Sequence, residues 1–505
     1  MTKPFDELRA RMAEIGDLAR AGAILGWDQQ TMMPPRGAAV RAEQLATLGR
    51  ITHERFTSPE IGRLLDELSE FEQEQPYDSF EASLVRVVRH DWEKARKVPT
   101  DLRAEMTRSA SLARSVWVKA RAENDFASFL PALEHNLELR RRYIECFDGD
   151  FDEPYDAVLD DYEQGMKAAE VRTIFDYLKA HQAPIVREVA QAESLPEPPA
   201  RSFPLADQKT FELEVIRRFG YDDAAWRLDP TVHPFASGAG IDDIRLTTRY
   251  FDENLDGLFA TMHEFGHGLY EHQVDPAFER TPLARGTSLG VHESQSRMWE
   301  NLVGRSLPFW NFFFPRLQEL YPDALAGYDA ERWYREVNAV RPSLIRVDAD
   351  EATYNLHIIL RFELEQELLA GSFPLDSLPE EWNRRMWEYL GVEVPDDTRG
   401  VLQDTHWATG SIGYFPTYAL GNLISAQLWE RILADVPTLY DEFDRGEFGT
   451  LREWLREHLH RHGRKFTPSE TLEQAIGTRT IDPEPYVRYL RTKVGEIYGL
   501  PVGVE

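Results

Sequence analysis

A single cysteine, Cys146, stands in 505 residues. No disulfide can close within the chain and no thiolate metal cluster can form, so a reducing, cytoplasmic setting is expected. Long apolar runs are also missing. No stretch approaches the length of a membrane-spanning helix, and Asp6, Glu7, Glu14 and Asp17 stand where a secretion signal would need an apolar core. Basic charge is scarce: 57 Lys and Arg face 87 Asp and Glu, a formal net charge of −30. So acidic a surface repels phosphate, which argues against nucleic acid and anionic membrane as partners. Any ligand carboxylate must be captured by a local cation. Biased tracts and fixed-period repeats are absent, and the 42% hydrophobic content is that of a globular chain.

Helical periodicity dominates what is present. Phe5, Leu8, Met12, Ile15, Leu18, Ala21 and Leu25 recur at three- and four-residue steps and predict one apolar stripe, broken at Met33-Pro34-Pro35-Arg36-Gly37. Further helices are predicted over roughly 37–57, 58–75, 77–95, 101–122, 126–147 and 168–193. The four prolines of 194–204 mark the best boundary, giving an N-terminal helical region (1–193), a Pro-rich connection, and a second region (205–505). Segments 226–236 and 243–251 read as strands around a Gly-bearing turn at 237–240, a small antiparallel sheet. Helical patterning resumes at Leu255, with loops near 371–380 and 391–400, and ends near Tyr498.

Within that resumed helix stands His263-Glu264-Phe265-Gly266-His267. The i, i+4 spacing puts both imidazoles on one helix face, close enough to share one metal ion, with Glu264 beside the water-bearing position. A chance match is expected far less than once in a chain of this composition. No His-x-x-Gly-x-x-His extension follows His267; instead Glu293 opens a new helical pattern 26 residues on. A carboxylate on a second helix facing the first would complete a His-His-Glu set. The alternative for Glu293 is a solvated residue stabilised by the helix dipole.

These motifs resemble those of the M32 metallocarboxypeptidase family. The resemblance rests on six segments in order: His233-Pro234-Phe235; Asp243-Ile244-Arg245-Leu246-Thr247; the His263–His267 segment; His292-Glu293-Ser294-Gln295; Ile345-Arg346-Val347-Asp348-Ala349-Asp350; and Gly400-Val401-Leu402-Gln403-Asp404-Thr405-His406-Trp407. Trp27-Asp28-Gln29, Met33-Pro34-Pro35 and the 486–498 stretch extend it over essentially the whole chain. It implies a mainly α, two-lobed fold like neurolysin and angiotensin-converting enzyme, with a deep central groove and the small sheet beside the metal helix. It also implies a homodimer, one Zn²⁺ per subunit for which Co²⁺ could substitute, and removal of single C-terminal residues from peptides with a free C-terminus.

The remaining candidates carry two readings each. Arg346 is either a structural ion-pair residue, with Asp348, Asp350 or Glu351, or the guanidinium that receives the substrate's terminal carboxylate. His406 is either a core histidine beside Trp407 or an oxyanion donor. Tyr414 and Tyr418 either pack or donate to the oxyanion, Tyr418 being preferred by analogy with related helical zinc peptidases. His233 and Arg245 are expected on the sheet, as substrate contacts or as structure. Two rival functions share the metal residues: an endopeptidase or dipeptidase of the same class, and a silent zinc-stabilised scaffold. Glu264 argues against the scaffold, since a closed structural site needs no free carboxylate.

Overall fold

The computed structural model describes residues 3–192, 195–196 and 198–500. Ser194 and Glu197 of the expected Pro-rich connection, and Glu193 at the end of the helix before it, lie outside the described residues. The first helix, Lys3–Thr31, buries Phe5, Leu8 and Met12 of its predicted stripe. They meet Ile61, Leu64, Val85, Val274, Phe278 and Leu283 in a small core. Near its far end Trp27 is buried between two guanidinium groups of the sheet, Arg227 and Arg245, each 4.5 Å from the ring. Its hairpin partner, Ala38–Phe56, has no fully buried residue. The single helix expected over 58–75 is two, Pro59–Glu67 and Ser69–Glu74, with Leu68 between them.

The main core gathers residues from Val98 to Ile497, so it draws on both sides of the Pro-rich connection. Helices Thr100–Glu123 and Phe126–Glu145 form an antiparallel pair around Asn124, whose φ of 55° lets the chain reverse. The last helix, Glu484–Tyr498, packs on Ala168–Gln191, and Arg491 reaches Glu188 at 2.7 Å.

The sheet departs from the expected antiparallel pair. It has three strands, β1 (Trp226–Pro230), β2 (Ala236–Gly240) and β3 (Asp243–Thr248), in the order β1-β3-β2. β1 runs parallel to β3 and β2 antiparallel to it. The predicted turn at 237–240 is thus the edge strand itself. Ala-Ser-Gly-Ala-Gly has no β-branched or aromatic residue and reads as a turn. Those small residues let β2 pass close to Lys3–Thr31 and to Asp256–His272. Beyond β3, residues 249–255 lead straight into the histidine helix, Asp256–His272. The loop expected at 391–400 extends irregularly to Phe415, while helix Leu378–Leu390 begins inside the one expected at 371–380.

Candidate metal centre

The histidine helix presents His263 and His267 with ring centroids 4.9 Å apart and planes at 81°. Glu293 comes from the helix Leu289–Arg297, here called the glutamate helix. Its Oε2 lies 3.6 Å from His263 Nε2 and 3.5 Å from His267 Nε2. A tetrahedral ion bonded at about 2.0–2.2 Å separates its ligand atoms by about 3.3–3.6 Å, so both nitrogen–oxygen separations suit Zn²⁺ or Co²⁺. The two helices approach this closely because residue 266 is glycine: a Cβ there would stand 2.6 Å from Ser296 Cα. The start of the glutamate helix is pinned as well. The Ser288 hydroxyl accepts from Val291 N, and buried Glu163 accepts from Ser288 Oγ and Gly290 N, both at 2.8 Å.

The ligand set is braced from behind. His263 Nδ1 meets Glu300 Oε2 at 2.9 Å, and Glu300 sits on a π-helical turn, Met298–Val303, that widens the backbone under it. Arg297 donates to Glu293 Oε1 at 2.8 Å and to Glu300 Oε2 at 3.2 Å. His267 Nδ1 meets His292 Nδ1 at 2.9 Å, and His292 Nε2 meets Glu271 Oε1 at 2.7 Å. Burial pushes Glu293 upward, but Arg297 and the two imidazoles outweigh it and hold the carboxylate well below its usual range. Glu300, also buried, is held down at about 2 by Arg297 and His263. Burial drives His267 down to about 4, into its neutral, ligating form.

Glu264 is buried but belongs to neither the ligand set nor its bracing. Burial, reinforced by the negative charges of Glu293 and Glu300, pushes its carboxyl up to about 7; His263 and a hydrogen bond from the Ala236 backbone act the other way. That places it among groups able to exchange a proton near neutral pH.

Beside the triad lies a second cluster. His406 Nε2 is 3.3 Å from Tyr418 Oη, and its ring packs on Phe415 at 4.3 Å. Burial drives His406 down to about 4 against the pull of Asp404, so the imidazole is neutral. Tyr414 is pushed up to about 12 by burial and the charge of Glu293, and Tyr418 is raised well above the usual phenol range by burial and Tyr414. All three are therefore neutral donors near the triad. Arg346 is 6% exposed. Its Nε and Nη2 donate to Asp404 Oδ1 at 3.0 and 2.9 Å, and Nη1 donates to Tyr354 Oη at 3.1 Å. Arg361 completes the cluster at Asp404 Oδ2, 2.7 Å from its Nε. The partner of Arg346 is thus Asp404 and not the nearby Asp348, Asp350 or Glu351. His233 is exposed in the loop between β1 and β2, and Arg245 forks onto Asp243 while stacking on Trp27.

Sequence reasoning passed over Glu300, Arg297, Asp404, Arg361 and Glu365. Glu365 accepts from Tyr155 Oη at 2.6 Å, Trp407 Nε1 at 2.9 Å and Gly413 N at 2.9 Å, so it ties down the loop bearing His406 and Tyr414. Asp404 alone carried a signal, two residues before His406 in the same motif.

Known proteins resemble this chain along nearly its full length. The profile of the family described as Carboxypeptidase Taq (M32) metallopeptidase matches residues 7–494. Thermostable carboxypeptidase 1 of Thermus thermophilus is 41% identical over 98% of this chain and 99% of its own. Carboxypeptidase 1 of Bacillus subtilis is 35% identical over 98% of each. The crystal structure of the M32 carboxypeptidase from Deinococcus radiodurans superposes with a TM-score of 0.95 at 41% identity, covering 99% of this chain and all of that one. The Pyrococcus furiosus carboxypeptidase gives 0.94 at 36% identity, covering 98% of this chain and 99% of the other. A His-His-Glu set with an adjacent free carboxylate, in a chain that aligns from end to end with these enzymes, makes this protein a member of the M32 metallocarboxypeptidase family, a peptide hydrolase.

Proposed function

We propose that the chain releases single C-terminal residues from peptides of broad sequence, with one Zn²⁺ per subunit held by His263, His267 and Glu293. When bound, the ion supplies Lewis acidity to the scissile carbonyl and to the attacking water. Glu264 takes a proton from that water at a carboxylate oxygen as the C–O bond forms. It returns the proton to the amide nitrogen as the C–N bond breaks. His406 and Tyr418 donate to the developing oxyanion, each neutral so that the donor proton is in place. Arg346 is the candidate for the substrate's terminal carboxylate, through the Nη hydrogens that Asp404 and Tyr354 leave unused. His233, in the loop between β1 and β2, and Arg245, on β3, are proposed as further contacts along a groove between the lobes. The observation that supports this reading most is Glu264, a buried carboxylate beside a three-ligand set that it does not join.

No helix among the described residues is long and apolar enough to cross a membrane. A homodimer and a cytoplasmic location remain part of the proposal; the lone cysteine supports the second, and sedimentation tests the first. The function is tested by incubating the metal-loaded protein with an N-acetylated peptide and following masses over time. Stepwise loss of C-terminal residues is expected; internal cuts or loss of dipeptides would replace the reading with that of an endopeptidase or dipeptidase.

A further inference from the structure

Arg285 stands on the segment between the histidine and glutamate helices. The next residue, Gly286, is fitted against the metal centre's bracing: a Cβ there would stand 2.6 Å from His292 Cδ2 and 2.7 Å from Tyr270 Cε1. Gly286 N donates to Glu271 Oε1 at 3.0 Å, the atom that also meets His292. The peptide unit that follows Arg285 is therefore anchored three hydrogen bonds from His267. Its side chain is exposed and makes no hydrogen bond or ion pair among the described residues. The cations and carboxylates around it are otherwise engaged. Arg464 forks onto Asp91 at 2.5 and 2.8 Å, and Arg20 donates to Ala284 O at 3.2 Å with Glu279 at 3.7 Å. Surrounding protein and the positive charge of Arg464 hold the Arg285 guanidinium below its usual range, with Asp91 and Glu271 acting against them. An arginine with no side-chain partner among the described residues, set among two others in a chain of net charge −30, invites an anion from outside.

The edge strand gives that anion a direction. At its Ala236 end β2 lies against the histidine helix, beside Glu264. Beyond that end, past the last residue of β3, stands Arg249, whose charge reaches Asp348, two residues from Arg346. At the other end Ile241 N donates to Glu279 Oε2 at 2.9 Å, and Glu279 reaches toward Arg20. The segments that carry Arg346 and Arg285 are thus reached from opposite ends of β2, with Glu264 beside the first. This step rests on the proposed carboxypeptidase reading: if one residue leaves at the Arg346 end, the rest of the peptide runs along β2 toward Arg285.

We propose that Arg285 is a specificity residue that receives an acidic side chain from one of the two peptide residues on the amino side of the cleaved bond. The acidic surface does not forbid this, because charges beyond about 8–10 Å are largely screened at physiological salt while a contact guanidinium is not.

The test uses metal-loaded enzyme and matched N-acetylated peptides that end in the same residue and differ only at those two positions, carrying Asp, Asn or Lys. The readout is the ratio of kcat/KM values within one protein preparation, so a variant's fold or metal loading cancels. The wild-type Asp:Asn ratio is expected near tenfold or above, the size of one charge-assisted hydrogen bond, and Lys is expected to be disfavoured. In Arg285→Gln the ratio should fall to about one, in Arg285→Lys stay above one, and in Arg285→Glu turn in favour of Lys. A wild-type ratio of one, or a ratio that survives Arg285→Gln, overturns the inference and leaves the carboxypeptidase reading standing. Loss of no C-terminal residue from any peptide overturns both.

Discussion

Glu264 is buried beside two carboxylates, which together with burial push its carboxyl upward, and it stands outside the candidate ligand set. Glu264→Gln should therefore keep the metal, measured by elemental analysis, and lose about 10²–10⁴ in turnover. His263→Ala should lose the metal itself. Arg346 is the sharper case, since the structure spends most of its fork on Asp404 and Tyr354. If the spare hydrogens bind the substrate, Arg346→Ala should lower kcat/KM about 10–150-fold, and C-terminal amidation of the peptide should lower it comparably in the wild type but little further in the variant. Penalties that multiply would make Arg346 purely structural and move the anchor elsewhere. The two histidines were legible because helix periodicity alone fixes an i, i+4 pair on one face. The Arg346–Asp404 pair was not: its members stand 58 residues apart, and several acidic residues nearer in the chain offered themselves as partners.

Contact between the histidine and glutamate helices sets the geometry of the triad, and Gly266 lies at a close approach of their backbones. Gly266→Ala pushes a methyl group into the backbone of the glutamate helix, which cannot give way as a flexible side chain would. A loss of about 1–3 kcal/mol is expected, with weaker Co²⁺ binding by titration as the ligands spread. The same helix carries a pH dependence on its other side. Glu212 accepts from Thr261 Oγ1 at 2.8 Å, and burial pushes its carboxyl up to about 8 from an ordinary 4.5. The folded state thus keeps a proton that the unfolded chain releases between those values, so this contribution to stability is full below about pH 4.5 and declines as pH rises to about 8. Glu212→Gln should remove that decline, leaving a flatter Tm between pH 5 and 8; parallel Tm curves for the two proteins would refute it. Helices such as Lys3–Thr31 were legible because their apolar residues recur at three- and four-residue steps. β2 was hidden because its five small residues take their strand conformation from neighbours, and the π turn because no local pattern distinguishes it from an α-helix.

Across the whole molecule, the candidate metal ligands come from two helices embedded in the main core, so binding should stabilise the folded chain. Zn²⁺ at a hundredfold over its dissociation constant is worth about 2.7 kcal/mol, to be read by calorimetry with and without the ion. Chelation should abolish hydrolysis and Zn²⁺ or Co²⁺ restore it; metal-free protein with full activity would sink the reading of the site. A core shared from Val98 to Ile497 has another effect, on biosynthesis. The Ala168–Gln191 helix leaves the ribosome some three hundred residues before Leu490, Val494 and Ile497, which help enclose the same core, have been made. Until the last helix emerges, the nascent chain holds a half-built interior whose apolar side has no cover. The growing polypeptide is therefore a natural client for chaperones, and a stop codon before residue 484 should send it to proteolysis rather than leave a smaller folded enzyme.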